Sequence, residues 1–249
     1  SDEMLTDEGG FVHSEGDSNW WIPSGQAFYS PQPDDTSAQE LAYARQHFFL
    51  ALRSLDPFGT TSTIRFDDYD LLAVETEDPL HNKVTNGERD AEGTIIARNN
   101  YRVLQPELIT DANRNRSEVA FDAMGLVVGT ALMGKVEESR GDSLAEFEPD
   151  LDEATIREHI ENPLANPHAI LRSATTRLVY DLFAYQRTQN DLQPLSAVVY
   201  TLARETHAAD LADGEETKVQ HSFSYSDGFS REIQKKVQAE PGPVPRRNA

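Results

Sequence analysis

The sequence predicts an all-β fold, an antiparallel sheet of strand–turn–strand units with a short helical insertion. Four stretches repeat one design: a β-rich run, an aromatic residue near an Asp, a turn and a second β-rich run. Strand and turn residues also alternate throughout residues 60–135. Such repetition is more typical of a wall built from copies than of one active site. The repeat positions are Phe66 and Asp67; Phe121, Asp122 and Gly125; Tyr180 and Asp181; and Tyr225, Asp227 and Gly228.

The repeat positions carry two structural expectations. Each repeat Asp should accept hydrogen bonds from the backbone N–H groups of the turn that follows it. Each aromatic should be substantially buried, at equivalent places on successive strands. Turns led by Asp56, Asp78 and Asp111 precede alternating runs, and the first two are 22 residues apart (78 − 56). A period of about 20 residues fits a two-stranded unit.

The chain divides into five stretches by composition. Residues 1–55 read as an irregular lead-in with a helix at 37–46, where Ser37 can cap and Glu40 holds the capping-box position. Residues 47–52 read as a strand. The β regions are 56–136 and 174–240, separated by an acidic helical insertion at 137–173 and followed by a Pro-rich tail at 241–249.

The insertion is predicted to be helical between 152 and 172. Ile156 and Ile160 are four residues apart, as on one helix face, and Pro163 and Pro167 follow them. The Pro-rich tail cannot supply a central strand, because Pro lacks the N–H that a sheet needs.

Composition bounds the possible functions. The formal charge of −21, with 17 Arg and 5 Lys, argues against binding nucleic acid or an anionic membrane. The absence of Cys excludes disulfides and thiolate chemistry. No apolar stretch reaches the roughly 20 residues that span a bilayer. The chain begins at Ser1 without a signal-peptide core, and we expect it to be a piece of a longer protein.

Motifs for catalysis or metal binding are missing. The seven His form no HExxH or HxH spacing, and the sequence has no GxSxG, Walker A or GxGxxG motif. Residues 61–63 and 75–77 superficially resemble the STS and ExE elements of ADP-ribosylating toxins, yet they fall in adjacent strands. A Ca²⁺ ion could be surrounded by four carboxylates, those of Asp67, Asp68, Asp70 and Asp78. Hydrogen bonds from each Asp side chain to its own turn explain these residues better. We therefore expect no catalytic residue, no cofactor and no metal site.

Two other classes of function stay open. One is a carbohydrate-binding β module, or a cell-surface interaction protein, that uses exposed aromatics such as Trp20 and Trp21. Adjacent strand residues point to opposite faces, so one of these two rings at most could serve. The other is a hydrolase with an unrecognised site, which would need close carboxylates with perturbed pKa values.

Several strings resemble a known family. Residues 119–125 and 223–232 are similar to the YD repeat of the Rhs family. Residues 100–106, 110–116, 127–135 and 222–228 resemble the B component of bacterial insecticidal toxin complexes, the branch related to SpvB and TcaC. The resemblance runs from about Trp20 to Pro243.

The resemblance implies a hollow β-shell, shared between B and C components, that encloses a toxic polypeptide until delivery. This chain would be a non-enzymatic segment of that shell. Its partners would be a C-type Rhs component, the enclosed toxin and a pore-forming A component, with no nucleic acid and no membrane insertion. The complex would be secreted, and cytoplasmic before release. The autoproteolytic aspartates of the C component and the actin-modifying domain of SpvB have no counterpart here.

Overall fold

The computed structural model describes residues 2–14, 16–227, 229, 231–240 and 242. The chain forms two compact units, Ser1–Asn113 and Arg114–Ala249. Their boundary falls inside the stretch 56–136 that composition suggests is one β region. Gly228 and, apart from Gly242, the Pro-rich tail lie outside the described residues. Within the described part of the chain, no helix is long and apolar enough to cross a membrane.

The first unit is built on an antiparallel sheet, which confirms the predicted fold class for this unit. The sheet order is β1-β2-β3-β4-β5-β10, and β6-β7 and β8-β9 are separate two-stranded pairs. A π-helical turn spans Met4–Glu8. The strands are β1 (Gln26–Phe28), β2 (Arg53–Leu55), β3 (Thr61–Phe66), β4 (Ala73–Glu77), β5 (Lys83–Thr85), β6 (Gly87–Arg89), β7 (Ile95–Ala97), β8 (Asn99–Asn100), β9 (Gln105–Pro106) and β10 (Leu108–Thr110).

Helix α1 spans Ser37–Gln46, as predicted, but its cap lies one residue earlier than expected. Thr36 is the N-cap, and Gln39 completes the capping box with it. Glu40 instead accepts the N–H of Ser30 at 2.8 Å and pairs with Arg53 of β2 at 2.8 Å. The acidic side chain therefore anchors the helix to its neighbours rather than capping it.

The predicted strand at 47–52 was wrong. Phe48 and Phe49 have φ angles of 53° and 57°, in the left-handed region that no strand uses. The Phe49 N–H bonds the Ala44 carbonyl at 2.8 Å, so this segment closes the C-terminus of α1. The need to satisfy helix-end carbonyls overrides the β propensity of the two Phe residues.

The second unit is a sheet whose strands follow chain order, each antiparallel to the next. A 3₁₀ turn at Ala208–Asp210 precedes β15. The strands are β11 (Arg116–Phe121), β12 (Val127–Met133), β13 (Thr176–Asp181), β14 (Ala197–Arg204), β15 (Val219–Ser226) and β16 (Glu232–Val237).

The insertion between β12 and β13 carries two helices, α2 (Glu153–Glu161) and α3 (His168–Leu171). Both lie inside the predicted helical stretch. Asp152 caps α2 by accepting the Thr155 N–H at 2.8 Å. The insertion packs on the sheet and forms the main apolar cluster. Its buried members are Ile170, Leu171 and Ala174 from the insertion with Val179, Tyr200, Leu202 and Val219 from the strands.

The third repeat departs from its predicted form. After β13 the chain enters helix α4 (Ala184–Thr188) instead of a second strand. Ala, Gln and Arg favour a helix, and the buried Ala184 fixes it against the unit. The other three repeats are hairpins, β3–β4, β11–β12 and β15–β16.

Candidate functional site: the aspartate turns

The turn at Asp122 shows the repeated geometry in full. Oδ1 of Asp122 accepts the N–H groups of Met124 and Leu126 at 2.9 and 2.8 Å. The Asp122 carbonyl accepts the N–H of Gly125 at 3.0 Å. Gly125 has a φ of 85°, a conformation that glycine adopts without strain. One carboxylate thus satisfies two donors of a tight hairpin loop. We call this arrangement an aspartate turn.

Asp67 forms the same turn in the first unit. Its Oδ1 accepts the N–H groups of Tyr69 and Leu71 at 3.2 and 2.9 Å, and its Oδ2 accepts the Tyr101 hydroxyl at 2.9 Å. Asp70, with a φ of 56°, occupies the place of the glycine. Burial raises the pKa of Asp67, but these hydrogen bonds lower it more, so its net pKa is below the usual value.

Asp227 forms the turn between β15 and β16. Its Oδ1 accepts the Phe229 N–H at 2.9 Å, and its Oδ2 accepts Nε of Arg231 at 2.7 Å. The Phe229 bond is the main cause that lowers the pKa of Asp227, and the bonds from Arg231 add to it.

Asp181 does not share this role, and the expectation of one common role was wrong. Its carboxylate is buried and pairs with Arg187 of α4 at 2.5 Å. The backbone of Asp181 still pairs in the sheet with Val198. Because a helix follows β13 instead of a hairpin loop, the carboxylate meets a guanidinium rather than turn N–H groups.

The four repeat aromatics are half-buried, so each is covered in part and none is fully packed. Phe66 and Phe121 end their strands beside a β-bulge, as the register shifts there in both hairpins. Tyr180 donates its hydroxyl to the Val127 carbonyl at 2.8 Å, and burial raises its pKa. Tyr225 lies under the ammonium of Lys236, 4.6 Å from the ring centroid. These rings cover the ends of strands and are not the centre of a core.

Sequence reasoning identified the turns led by Asp56, Asp78 and Asp111 but not the bonds of their carboxylates, and it missed the turn at Asp90. The same carboxylate-to-N–H bonds form at Asp56, Asp78, Asp90 and Asp111, none of which follows an aromatic residue. Counting from Asp56, successive turns start at 67 and 78, a step of 11 residues that is one strand plus one turn. At Asp56 and Asp90 the sequence signal is a glycine three residues later, Gly59 and Gly93, which adopts the left-handed conformation of the turn.

The sequence also does not predict a buried carboxylate of the second unit, Asp142. The side chain of Asp142 is fully buried and accepts hydrogen bonds from the Thr175 hydroxyl and, at 2.7 Å, from the Ala208 N–H. It also faces Arg204 at 3.3 Å and Nδ1 of His207 at 2.8 Å. Since these donors lie far from it in the chain, no local sequence pattern predicts the cluster.

A cleft of the first unit has a volume of about 570 Å³. In it the rings of Tyr43 and His47 stack at 4.0 Å, and His47 pairs with Asp70 at 2.9 Å. Within the described residues no group of three or more His, Asp or Glu side chains could hold a metal ion. The carboxylates of the aspartate turns are instead bound by the backbone.

The fold and the turns together define a class, an antiparallel repeat sheet closed by aspartate turns. No protein-family model and no curated protein matches the chain. Its fold is similar to the crystal structure of TcdB2-TccC3, with a TM-score of 0.65 and 20% identity over 97% of this chain and 10% of that chain.

Two further crystal structures share the fold. The TcdB2-TccC3-Cdc42 structure has a TM-score of 0.64 and 18% identity, over 97% of this chain and 13% of that one. The TcdB2-TccC3-TEV structure has a TM-score of 0.61 and 17% identity, over 95% and 12%. The chain therefore spans about a tenth of the length of the solved chains it matches. At these identities the likeness establishes the fold.

Proposed function

We propose that this chain is a non-enzymatic wall segment of a toxin-complex Rhs shell, of the B type, that encloses a toxic polypeptide before delivery. The observation that carries the proposal is the fold shared with TcdB2-TccC3 over 97% of the chain. The strings that resemble YD repeats support it independently, since Asp122 and Asp227 each accept the backbone N–H of the residue two positions later.

The chemistry of the turns fits a wall better than a reaction site. A catalytic carboxylate needs a distinct environment that tunes its pKa to its work. The carboxylates of Asp56, Asp67, Asp78 and Asp227 instead share one arrangement, and each has its pKa lowered with hydrogen bonds to its own turn among the causes. Each is therefore held as an anion that organises a loop.

The partners and location follow from the same proposal. A C-type Rhs component would complete the shell, a toxin polypeptide would fill it, and a pore-forming A component would receive it. The complex would act outside the producing cell after assembly in the cytoplasm. β16 is paired on one side by β15 and every residue of it is exposed, so it offers an edge on which another strand could continue the wall.

A chimeric shell tests the proposal. In the TcdB2-TccC3 protein, residues 20–240 of this chain would replace the segment that they match. We expect a closed particle in which the enclosed polypeptide resists added protease. The matched control carries the same segment with Tyr200→Asp, which buries an unpaired charge and should open the wall.

Two results would count against a wall segment. One is a folded chimera that assembles into a particle but leaves its cargo as cleavable as the control does. The other is saturable binding of a defined glycan by the isolated chain, detected on a glycan array and by quenching of Trp20 and Trp21. That result would favour the carbohydrate-binding alternative.

A further inference from the structure

The insertion of the second unit is fastened at its base. Asp142 stands just before it and Thr175 just after it, and the Thr175 hydroxyl bonds the Asp142 carboxylate. The Ser143 N–H bonds the Ser173 carbonyl at 2.9 Å. These contacts bring the two ends of residues 143–174 together, so the segment between them is a flap with a closed base.

The body of the flap covers the sheet through apolar contacts. Phe147 sits against Gly129 of β12, where a Cβ would come within 2.3 Å of the ring. The guanidinium of Arg177 lies 4.2 Å from the centroid of the same ring. Ile170 and Leu171 of α3 are buried in the cluster with Tyr200. Most of the apolar core of the unit is therefore the contact between flap and sheet.

One cation without a carboxylate partner, Arg177, lies inside this contact. Arg177 is 1% exposed and donates only to the carbonyls of Glu148 and Ile170, while its Nε has no partner. Burial lowers the pKa of Arg177 to about 10, against a smaller opposing effect of Glu148. A second positive charge at this place would be repelled by the Arg177 guanidinium, because no carboxylate neutralises it.

His159 of α2 is positioned to add such a charge. It is 7% exposed, and its Nδ1 has no hydrogen-bond partner. Burial lowers the pKa of His159; Glu158 opposes that effect and Arg177 adds to it. The neutral ring fits the closed flap, whereas the imidazolium would be desolvated near a cation.

His221 of β15 is the second such group. It is 6% exposed, and its Nδ1 lies 2.6 Å from the hydroxyl of Tyr200, whose oxygen is also 3.0 Å from the Pro163 carbonyl of the flap. Burial lowers the pKa of His221, and the charge of His168 on α3 lowers it further. His168 itself faces Glu216 at 3.5 Å.

The base of the flap is held by the partners of the Asp142 carboxylate. Nδ1 of His207 is 2.8 Å from one oxygen of this buried carboxylate, and Arg204 lies 3.3 Å from the other. None of these partners lies on α2 or α3, so the base can stay fastened when the two helices move.

We propose that residues 143–174 form an acid-released flap: protonation of His159 and His221 lifts the α2–α3 segment from the sheet of the second unit while its base stays fastened. A histidine with a pKa lowered in the closed state binds more protons when the flap is open. The opening equilibrium therefore rises as pH falls below about 6.5, up to roughly tenfold per pH unit for each ring.

Hydrogen exchange on the full 249-residue chain tests this, with rates corrected for intrinsic exchange at each pH. Between pH 6.5 and 5.5 we expect amides of α2 and α3 to exchange roughly five- to thirtyfold faster, while those of β13 and β14 keep their protection. Uniform loss of protection across the unit, or no change in the helices, would overturn the proposal.

The variant His159→Gln, His221→Gln removes both titrating rings and should abolish the acid-dependent exchange of the helices. His81→Gln is the matched control, since the His81 side chain is 85% exposed in the first unit, and it should leave the effect intact. Retention of the full effect in the double variant refutes the assignment.

Should the double variant not fold, imidazole NMR of the unchanged chain decides. His159 and His221 should titrate together with the opening of the helices. Titration of either ring while the helices remain protected refutes the proposal.

Discussion

Both units contain aspartate turns, but they differ in what covers their sheets. In the first unit the buried apolar residues that the structure describes are Ala44, Val74 and Leu108. In the second unit an insertion lies on the sheet, and Ile170 and Leu171 pack there with residues of three strands. The comparison teaches that the aspartate turns set the path of the chain, while the covering segment supplies the hydrophobic core.

The first unit relies more on polar contacts. Arg53 donates to Glu40 and to the carbonyls of Ser30 and Gln32. Glu75 of β4 pairs with Arg89 and Lys83. The Arg53 and Glu40 side chains are only 13% and 12% exposed, so each of them depends on its polar partners and not on apolar packing. Apolar substitutions should therefore cost much more in the second unit than in the first.

Leu171→Ala should give the largest effect. Leu171 is completely buried in the flap–sheet cluster, and its truncation should lower the free energy of unfolding by about 2–5 kcal/mol. Leu71→Ala is the matched change in the first unit, where the side chain is 55% exposed, and it should cost about 0.5 kcal/mol or less. Urea denaturation of both variants measures the difference. Equal losses of unfolding free energy would contradict the claim that apolar packing matters more in the second unit.

Gly129→Ala tests how the flap seats on the sheet. The added methyl would lie 2.3 Å from the Phe147 ring, so the ring must move, at a cost of about 1–3 kcal/mol. A double-mutant cycle with Phe147→Ala isolates this contact. If the clash is the cause, Gly129→Ala should cost far less once the ring is gone. Additive costs would assign the loss to the strand itself.

Asp122→Ala should have a smaller effect than these core changes. It removes the acceptor for the N–H groups of Met124 and Leu126, which should cost about 1–2 kcal/mol. Glu138→Ala, at a partly exposed side chain in a nearby loop, should cost about 0.5 kcal/mol or less. Thermal unfolding monitored by circular dichroism compares them, and a matching loss in both would deny the turn its structural role.

The sequence predicts the β fold, α1, the helical stretch at 152–172 and three hairpins, because these depend on local patterns. It fails where distant contacts decide. The helix after Asp181 depends on neighbours that no repeat encodes, and the repeat does not fix how deeply its half-buried aromatics pack. A truncation such as Phe66→Ala should accordingly cost less than a fully packed ring would.

The candidate site shows the same limit. The aspartates beside aromatics are visible in the sequence, but Asp90 forms the same turn without an aromatic neighbour. The Asp142 cluster joins residues 33 to 66 positions apart, such as Thr175 and Ala208. Nothing local marks it, because a buried carboxylate is recognised only by the donors that the fold brings to it.

The two units should respond to acid at different pH values, because the first unit is stabilised by the carboxylates of its aspartate turns. The side-chain bond from Thr60 is the largest cause that lowers the pKa of Asp56, and the bond from the Asn82 amide is the largest for Asp78. A carboxyl whose folded pKa is lowered stabilises the protein above its unfolded pKa, near 4, and loses that contribution as pH falls through the folded pKa.

The urea concentration at the unfolding midpoint of the first unit should therefore decrease once the pH is below about 4. This is well under the pH at which the histidines of the second unit become protonated. Both Trp residues lie in the first unit, so their fluorescence reports it. The variant Asp56→Asn, Asp78→Asn should have a lower midpoint at pH 6 and a flatter decline in acid. Asp34→Asn, at an exposed carboxylate outside the strands, is the control for net charge. Removing one negative charge from a chain of −21 reduces repulsion and should raise the midpoint, whereas loss of the turn carboxylates should lower it. If Asp34→Asn flattens the profile equally, the acid response belongs to net charge and the turns carry none of it.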